Sequence, residues 1–274
     1  MESVFRNIAF LILLSVNLSV VYSRTVIIES TKKPVIYASV GIINRNLGTV
    51  TDSMGNFILN IPADYINDSI RISSVGYVAK VFAVKDIKNI PDTIFLADDI
   101  IRLNDVFVKP QRIKHKTAGR KNGNGFIYIE IEGYKAAGQG LAIPMKVKKR
   151  AWIKKLGFTV LTGDRLLSRM KFRINIYRKD NSSYNLQNIK PIYVEYDKTQ
   201  LVGGLFTYDF SEELMLESGE YYIELEFLEN FYGEYFIMRT VPLTGKTRFR
   251  YASQSEWQTL PFGAPVFIEY DTIE

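Results

Sequence analysis

The sequence contains no cysteine and only one histidine, His115, among its 274 residues. Without cysteine the chain has no disulfide, no cysteine-ligated zinc or iron–sulfur site and no thiol nucleophile. With one histidine, a single chain cannot supply the two or three imidazoles that most zinc enzymes use. The 35 basic and 29 acidic residues give a formal net charge of +6, and 47% of the residues are hydrophobic. This composition is typical of an ordered globular protein, and we expect neither a metal nor a cofactor.

Residues 1–23 have the pattern of a secretory signal peptide. Arg6 supplies a positive charge, residues 8–21 are apolar except at three positions, and Val21-Tyr22-Ser23 is an acceptable cleavage site before Arg24. The alternative is a retained N-terminal anchor, although a transmembrane helix needs about 20 apolar residues without such interruptions. No later segment approaches that length. We therefore predict an exported protein of the periplasm or of the outer-membrane or cell surface, where large domains fold without disulfides.

Residues 24–109 predict a small β domain, because short apolar or alternating runs are separated by turn residues. The runs are 25–29, 35–43, 48–61 with a turn between Val50 and a returning strand at 57–61, 68–77, 93–96 and 105–108. Asp52 and Gly55 mark one tight turn. The Asp52 side chain can accept hydrogen bonds from backbone N–H groups, and Gly55 can adopt a positive φ. Gly76 and Tyr77 mark another turn. We expect seven short strands, which is typical of a small sandwich.

The order of these motifs points to a family. It runs G-x-V-x-D-x-x-G-x-F-x-L-x-I from Gly48, D-x-I-x-I-S-x-V-G-Y from Asp68, I-x-L at 94–96 and L-x-D-V-x-V at 103–108. In this order and spacing, residues 25–108 resemble the carboxypeptidase-D regulatory-like domain of exported proteins from Bacteroidetes-type bacteria. The resemblance implies a transthyretin-like seven-stranded sandwich that serves as an accessory module. It implies no carboxypeptidase activity, and it leaves the turn residues named above with a structural role.

Residues 110–124 are predicted to be a basic linker, since they lack apolar periodicity and contain Pro110, Gly119 and Gly123. We interpret His115 as a solvated residue of this linker. Residues 125–274 again predict strands, at 127–132, 172–177, 192–196, 205–210, 221–227, 235–238 and 266–270. About eight strands in this length are typical of a jelly-roll-like β-sandwich. Residues 171–257 loosely resemble the C-terminal sandwich that accompanies the regulatory domain in other envelope proteins. The predicted fold class is all-β, with two sandwiches.

Carboxylates are the remaining candidates for catalysis, because the single histidine excludes zinc carboxypeptidase chemistry and no G-x-S-x-G motif is present. Glu130 and Glu132 form one pair, and Glu224 and Glu226 form another. The members of each pair are two residues apart on a strand, which places them on one face about 7 Å apart, a spacing usable by an inverting glycosidase. We favour the alternative that both pairs lie on the wetted face of amphipathic strands. We therefore assign no catalytic, cofactor-binding or metal-binding residue.

Two further features concern binding. The basic segments 112–121 and 146–155 are compatible with an anionic partner, but no nucleic-acid motif accompanies them, and we interpret them as the linker and polar strand faces. Aromatic rings are frequent in the second domain, either as core residues or as exposed rings for a glycan or protein. The rings considered as candidates are Tyr184, Tyr193, Tyr196, Tyr208, Tyr222, Tyr232, Trp152 and Trp257.

Three functional hypotheses remain. The favoured one is a non-catalytic exported cell-envelope protein that acts as a binding or assembly module for a protein or glycan partner. The second is a carboxylate-based glycan hydrolase in the second domain. The third is an anion-binding protein that uses the basic linker and the region Lys146 to Lys155, with Lys146, Lys148, Lys149 and Lys154 as the contact residues.

Overall fold

The computed structural model describes residues 19–99, 112–181, 183–188, 190–242 and 247–273. Their strands are, in chain order, β1 (Ser19–Ile28), β2 (Ser39–Ile42), β3 (Gly48–Val50), β4 (Asn56–Pro62), β5 (Ser69–Ser73), β6 (Lys80–Ala83), β7 (Thr93–Leu96), β8 (Ile113–Gly119), β9 (Tyr128–Ile131), β10 (Gly140–Val147), β11 (Ala151–Thr159), β12 (Arg169–Asp180), β13 (Ser183–Leu186), β14 (Ile192–Asp197), β15 (Leu205–Leu216), β16 (Gly219–Phe227), β17 (Phe236–Arg239), β18 (Arg248–Arg250), β19 (Gln258–Thr259) and β20 (Val266–Ile273). Short 3-10 helices lie at Ala63–Tyr65, Val84–Asn89, Gly133–Lys135 and Lys198–Gln200. The predicted strand at 105–108 lies outside the described residues.

The first domain is a sandwich of a three-stranded and a four-stranded sheet. The orders are β4-β1-β7, in which β1 is antiparallel to β4 and parallel to β7, and β3-β2-β5-β6, which is antiparallel throughout. In β4 the side chains of Phe57, Leu59 and Ile61 are buried while their neighbours are exposed, as period-2 alternation requires. The buried faces of both sheets form one core. The predicted seven-stranded sandwich is confirmed. The two sheets together contain seven described strands, β1 to β7.

Strand β1 begins upstream of the predicted cleavage site. It pairs with β4 from Ser19 onward, and the Tyr22 ring is 1% exposed and lies 5.5 Å from the Phe57 ring. Cleavage before Arg24 would therefore remove the first five residues of β1 together with a core side chain. The signal peptide itself stays a prediction, and the structure adds that Tyr22 packs inside the domain.

The second domain is a larger sandwich of antiparallel sheets. Its large sheet has the order β13-β12-β16-β10-β18-β19, with β14 also paired to β12, and its smaller sheet has the order β15-β11-β20-β8. The strands β9 and β17 form a separate pair. Aromatic rings fill the core, and the Phe172 ring lies 4.9 Å from Phe227 and 5.7 Å from Phe158. The all-β sandwich class is thus confirmed for this domain also.

The second domain has more strands than the sequence pattern indicated. Strand β11 contains a register shift between Ile153 and Lys155, which interrupts its alternation. Strand β8 is exposed along almost its whole length and therefore shows no apolar period. The expectation of a linker does not hold for residues 113–119, because they form β8 and pair with β20. In the part of the chain that the structure describes, no helix is long and apolar enough to cross a membrane.

Candidate functional site

Five buried polar side chains on the large sheet form what we call the Arg–Glu cluster. Its members are Arg173 and Asn175 from β12, Glu224 and Glu226 from β16, and Arg250 from β18. The strand register places Arg173 opposite Glu226 and Asn175 opposite Glu224. Both glutamates are 0% exposed. The expectation that Glu224 and Glu226 lie on a wetted face is therefore wrong, since this face of the sheet is covered.

A glycine in β10 makes the cluster sterically feasible. Strand β10 lies between β16 and β18, and Gly140 is paired with Glu226 on one side and with Arg250 on the other. A Cβ at this position would overlap the Oε1 atom of Glu224 and would lie 3.0 Å from the Arg250 Nε. Because Gly140 has no side chain, Arg250 can reach over β10 to both carboxylates.

Each carboxylate of the cluster contacts a guanidinium group. Arg173 donates from Nε and Nη2 to the Glu226 Oε2, at 2.9 and 2.6 Å. Arg250 Nη2 lies 3.1 Å from the Glu224 Oε2 and 3.0 Å from the Glu226 Oε1. The Arg250 Nε and the Glu224 Oε1 are 2.6 Å apart as an ion pair, but they lack hydrogen-bond geometry. Asn175 Nδ2 donates to both glutamates, at 2.7 and 2.8 Å.

The two carboxyl groups differ in their proton affinity. Burial raises the pKa of Glu224 to about 7, against the opposing effect of Arg250 and with a further increase from the negative charge of Glu226. For Glu226 burial acts in the same direction, but Arg173 and Arg250 together lower its pKa below the ordinary value. The negative charge of Glu226 is thus better stabilised than that of Glu224, because Glu226 contacts both arginines.

The cluster is joined directly to the first domain through Arg173. Its Nη1 donates to the Tyr37 backbone carbonyl at 2.6 Å, and its Nη2 donates to the Ser39 hydroxyl at 2.6 Å. Tyr37 has a φ of 56°, an unusual value for a tyrosine. Its hydroxyl donates to Glu229 at 2.9 Å, and its ring lies 5.6 Å from Tyr193. Tyr37 therefore contacts the second domain through its backbone, its hydroxyl and its ring.

A loop of the second domain completes the interdomain contact. The Ser253 hydroxyl donates to Glu226 at 3.2 Å. The Ser253 carbonyl approaches Gly41 and Gly48, which are paired across β2 and β3, so closely that a Cβ on either glycine would overlap it. The neighbouring Gln254 accepts hydrogen bonds from Arg71 at 2.8 Å and from the Asn44 backbone at 3.0 Å. The two domains are thus connected by charged, polar and close backbone contacts.

This arrangement does not suit Glu224 and Glu226 for catalysis. A glycosidase needs two carboxyl groups on either side of a substrate-filled cleft. Here both carboxyl groups are enclosed, share the Asn175 amide and are held by two guanidinium groups. The other pair, Glu130 and Glu132, is exposed at β9 and immediately after it. Among the described residues, no group of three or more histidine, aspartate or glutamate side chains is arranged to hold a metal ion.

The basic segments carry many contacts to acidic residues. His115 lies 2.5 Å from Asp271, which is also 3.8 Å from Lys154. Lys146 contacts Glu220 at 3.5 Å and Lys155 contacts Asp209 at 3.3 Å. The region from Lys146 to Lys155 is therefore partly neutralised. His115 is exposed, as expected, but it lies on a strand rather than in a linker.

The candidate aromatic rings separate into three groups. Tyr196 and Trp152 are buried. Tyr184, Tyr208, Tyr222 and Trp257 are partly buried, and the Trp257 ring lies 5.1 Å from the Arg250 guanidinium at the cluster. Tyr232 is 74% exposed and Tyr193 is 38% exposed. Phe126 is 98% exposed, the largest exposure of an aromatic ring among the described residues, and was not among the candidates.

The turn residues of the first domain have structural contacts. The Asp52 Oδ1 accepts hydrogen bonds from the backbone N–H groups of Met54 and Asn56, both at 2.8 Å. Gly55 has a φ of 77° and Gly76 a φ of 87°. The backbone of Tyr77 bridges to Asp98. These contacts shape two turns and involve no group of the Arg–Glu cluster.

Sequence reasoning missed Arg173, Asn175, Arg250 and Tyr37 as cluster or contact residues. One signal was present: the polar positions of β12 carry Arg173 and Asn175, and those of β16 carry Glu224 and Glu226. Opposite charges on two alternating strands are expected to pair when the strands are neighbours. Which strands are neighbours, however, is decided by the tertiary fold.

The comparisons with known proteins concern the first domain. Among curated proteins, none matches this chain. A protein-family model, by contrast, matches residues 23–108. This segment begins within β1 and extends past β7, so it contains the sandwich that carries Tyr37, Gly41 and Gly48. Its motif order is the one described from the sequence, and residues 23–108 form a CarboxypepD_reg-like domain.

Proposed function

We propose that this protein is a non-catalytic, exported module of the cell envelope that binds or assembles with a partner. Its CarboxypepD_reg-like domain and its second sandwich would act together as one unit with a fixed surface. The family of the first domain supports the absence of catalysis, because such β-sandwich modules are usually non-catalytic. Export is supported by the signal-peptide pattern of residues 1–23.

The Arg–Glu cluster is the observation that carries this proposal. It contains the buried carboxyl groups with the most perturbed environment in the second domain, and all of its groups are occupied in contacts within and between the domains. Carboxyl groups with a perturbed pKa often mark active sites, but structural ion-pair networks also perturb the pKa of carboxyl groups. The enclosure of Glu224 and Glu226 between two domains favours the structural role.

Exposed aromatic residues supply a surface for the partner. Phe126 is 98% exposed and is followed in sequence by the exposed Ile127 and Tyr128, and Tyr128 lies 5.8 Å from the Arg239 guanidinium. Tyrosine, phenylalanine and arginine are enriched at protein interfaces, and exposed rings also stack on sugars. We therefore place the first search for a partner at this surface.

Site-specific photo-crosslinking in the source organism tests the proposal. A photoreactive phenylalanine analogue would replace Phe126, and the matched control would carry it at the exposed Lys88 of the first domain. We expect a discrete cross-linked species from position 126 that is absent from position 88. Cell fractionation of the same strains would test export.

Enzymatic activity is the result that would overturn the proposal. If the purified chain released sugars from envelope polysaccharides, and Glu130→Gln or Glu132→Gln abolished that release, the glycan-hydrolase hypothesis would replace it. A chain without such activity that also gave no position-specific cross-link from Phe126 would contradict the binding role of this surface.

A further inference from the structure

Strand β8 forms an open, basic edge of the smaller sheet. It is the last strand in the order β15-β11-β20-β8, and among the described residues no strand pairs with its outer side. Its residues are exposed except for Ala118, which is partly buried. An exposed strand edge presents unpaired backbone N–H and C=O groups, which are a template for a further strand.

The backbone direction along this edge follows from the sheet geometry. The N–H of Arg120 donates to the carbonyl of Val266, and the N–H of Thr159 on the opposite side of β20 donates to the carbonyl of Pro265. In antiparallel pairs, hydrogen-bonded and non-hydrogen-bonded residues alternate. In the register of β8 against β20, the even-numbered residues of β8 therefore exchange backbone hydrogen bonds with β20. The backbone N–H and C=O groups of Ile113, His115 and Thr117 point away from β20, towards the open side of the sheet.

The segment that forms this edge is basic, and part of its charge is paired with acidic residues of β20, since His115 contacts Asp271 and Lys121 contacts Glu269. Residues 112–121 contain five lysine or arginine residues and no acidic residue. Lys114 and Lys116 are two residues apart in β8, so they lie on one face about 7 Å from each other. An open depression of about 350 Å³ is bordered by Lys116 and Lys154 and by the acidic residues Glu269 and Asp271. The edge therefore combines strand-pairing groups with a regular spacing of positive charge.

We propose that β8 binds an acidic, extended peptide segment of a partner protein by adding it as a fifth strand to the smaller sheet. This inference rests on the proposed binding function and names its partner chemistry. Backbone hydrogen bonds to Ile113, His115 and Thr117 would supply affinity, as in other cases of strand addition. Carboxylates at every second position of the segment would lie beside Lys114 and Lys116 and supply specificity.

The charge pattern also excludes some competing strands. A second basic edge, including β8 of another copy, would be repelled by like charges directly opposite each other. The other edge of the same sheet, β15, carries the exposed acidic residues Asp209 and Glu212, which contact Lys155 and Lys190 of their own chain. β15 of a second copy is therefore the competing occupant that the experiment has to separate from a foreign acidic segment.

Fluorescence anisotropy with defined peptides tests this proposal on a chain that begins at Ser19, so that all of β1 is present. The probe is a labelled peptide of about ten residues that alternates glutamate and threonine, long enough for a typical strand. One control peptide alternates lysine and threonine. A second keeps the glutamates but carries N-methyl groups on alternate backbone nitrogens, which blocks strand pairing without changing the charge.

Three protein variants accompany the wild type. Lys114→Glu/Lys116→Glu reverses the edge charge, and Lys85→Glu/Lys88→Glu makes the same change at exposed positions of the first domain. Thr117→Pro removes one outward N–H, which an edge strand tolerates on its solvent side. We expect binding of the acidic peptide alone and roughly tenfold weaker binding by the first and third variants, a loss of about 1.4 kcal/mol. The control variant should bind normally, and hydrogen exchange of residues 112–121 should slow on binding.

Several results would overturn the proposal. Equal binding of the N-methylated peptide would show a simple anionic contact without strand addition, and stronger binding of an oligonucleotide would indicate a different class of partner. Self-association that Asp209→Lys abolishes would assign the edge to a second copy. Absence of peptide binding, together with an intact cross-link from Phe126, would overturn only this inference and would leave the proposed function in place.

Discussion

Replacement of Arg173 by methionine tests the role of the Arg–Glu cluster most directly. Methionine keeps much of the length of arginine but removes the charge and all donors. Glu226 would lose the donors at 2.6 and 2.9 Å, and the Tyr37 carbonyl and Ser39 hydroxyl of the first domain would lose their partner. The substitution thus breaks a buried ion pair and an interdomain contact at once.

The expected loss of stability is large. Removal of one partner from a buried ion pair costs about 3 to 5 kcal/mol, because the remaining charge stays buried without compensation. Glu226 keeps its contact with Arg250, which favours the lower end of that range. For a chain of this size, each kcal/mol lowers the melting temperature by roughly 2 to 4 °C, so we expect a decrease of roughly 6 to 20 °C.

Differential scanning calorimetry is the assay, and Arg169→Met is the matched control. Arg169 lies on the same strand and pairs with Asp197, but its side chain is 83% exposed, so its loss should leave the transition almost unchanged. A double-mutant cycle with Glu226→Gln should give a coupling energy above about 1 kcal/mol. If Arg173→Met and Arg169→Met shift the transition equally, the cluster does not stabilise the protein and this reasoning is refuted.

Three further predictions concern stability. Gly140→Ala should lower the free energy of unfolding by about 1 to 3 kcal/mol in urea titrations, since the added Cβ overlaps Glu224; Gly219→Ala is the control, with its nearest atom at 3.2 Å, and an equal effect would contradict the explanation. Burial raises the pKa of Glu224 to about 7, so between the ordinary pKa of a glutamate and about pH 7 the folded chain keeps a proton on Glu224 that the unfolded chain has released. The protonated Glu224 therefore stabilises the fold at low pH, and this stabilisation is lost as the pH rises through that window. Glu224→Gln should reduce the difference between the free energies of unfolding measured in urea at about pH 5 and at about pH 8, and an unchanged difference would contradict this explanation. A chain that begins at Arg24 should be less stable by about 3 to 5 kcal/mol than one that begins at Ser19, because it lacks the buried Tyr22 ring, and equal melting temperatures would show that the ring contributes nothing.

The first domain was the part most accessible to sequence reasoning. The alternation of Phe57, Leu59 and Ile61 identified β4, and the motif order identified the family and the seven-stranded sandwich. Local chemistry was sufficient there, because Asp52 and Gly55 belong to a turn whose hydrogen bonds lie within a few residues. The start of β1 was less accessible, since residues 19–23 also fit the end of a signal peptide.

The second domain was predicted in class but not in detail. Strand β8 has no apolar period, because its stability comes from pairing with β20 rather than from burial of its side chains. The same limit applies to Glu224 and Glu226. A polar face on an alternating strand indicates only that the face differs from the apolar core, and it is equally compatible with water or with a second domain.

The sequence by itself determined that the chain is all-β, that residues 23–108 carry the motifs of a CarboxypepD_reg-like domain, and that its one histidine is too few for a zinc site with two histidine ligands from one chain. Composition and short-range alternation are sufficient for such conclusions, since they depend on residues close together in the chain. The tertiary structure alone decided that Arg173, Asn175, Glu224, Glu226 and Arg250 meet beneath the first domain, and that β8 is an open basic edge. Both features depend on strand order and domain contact, which bring together groups that are far apart in sequence.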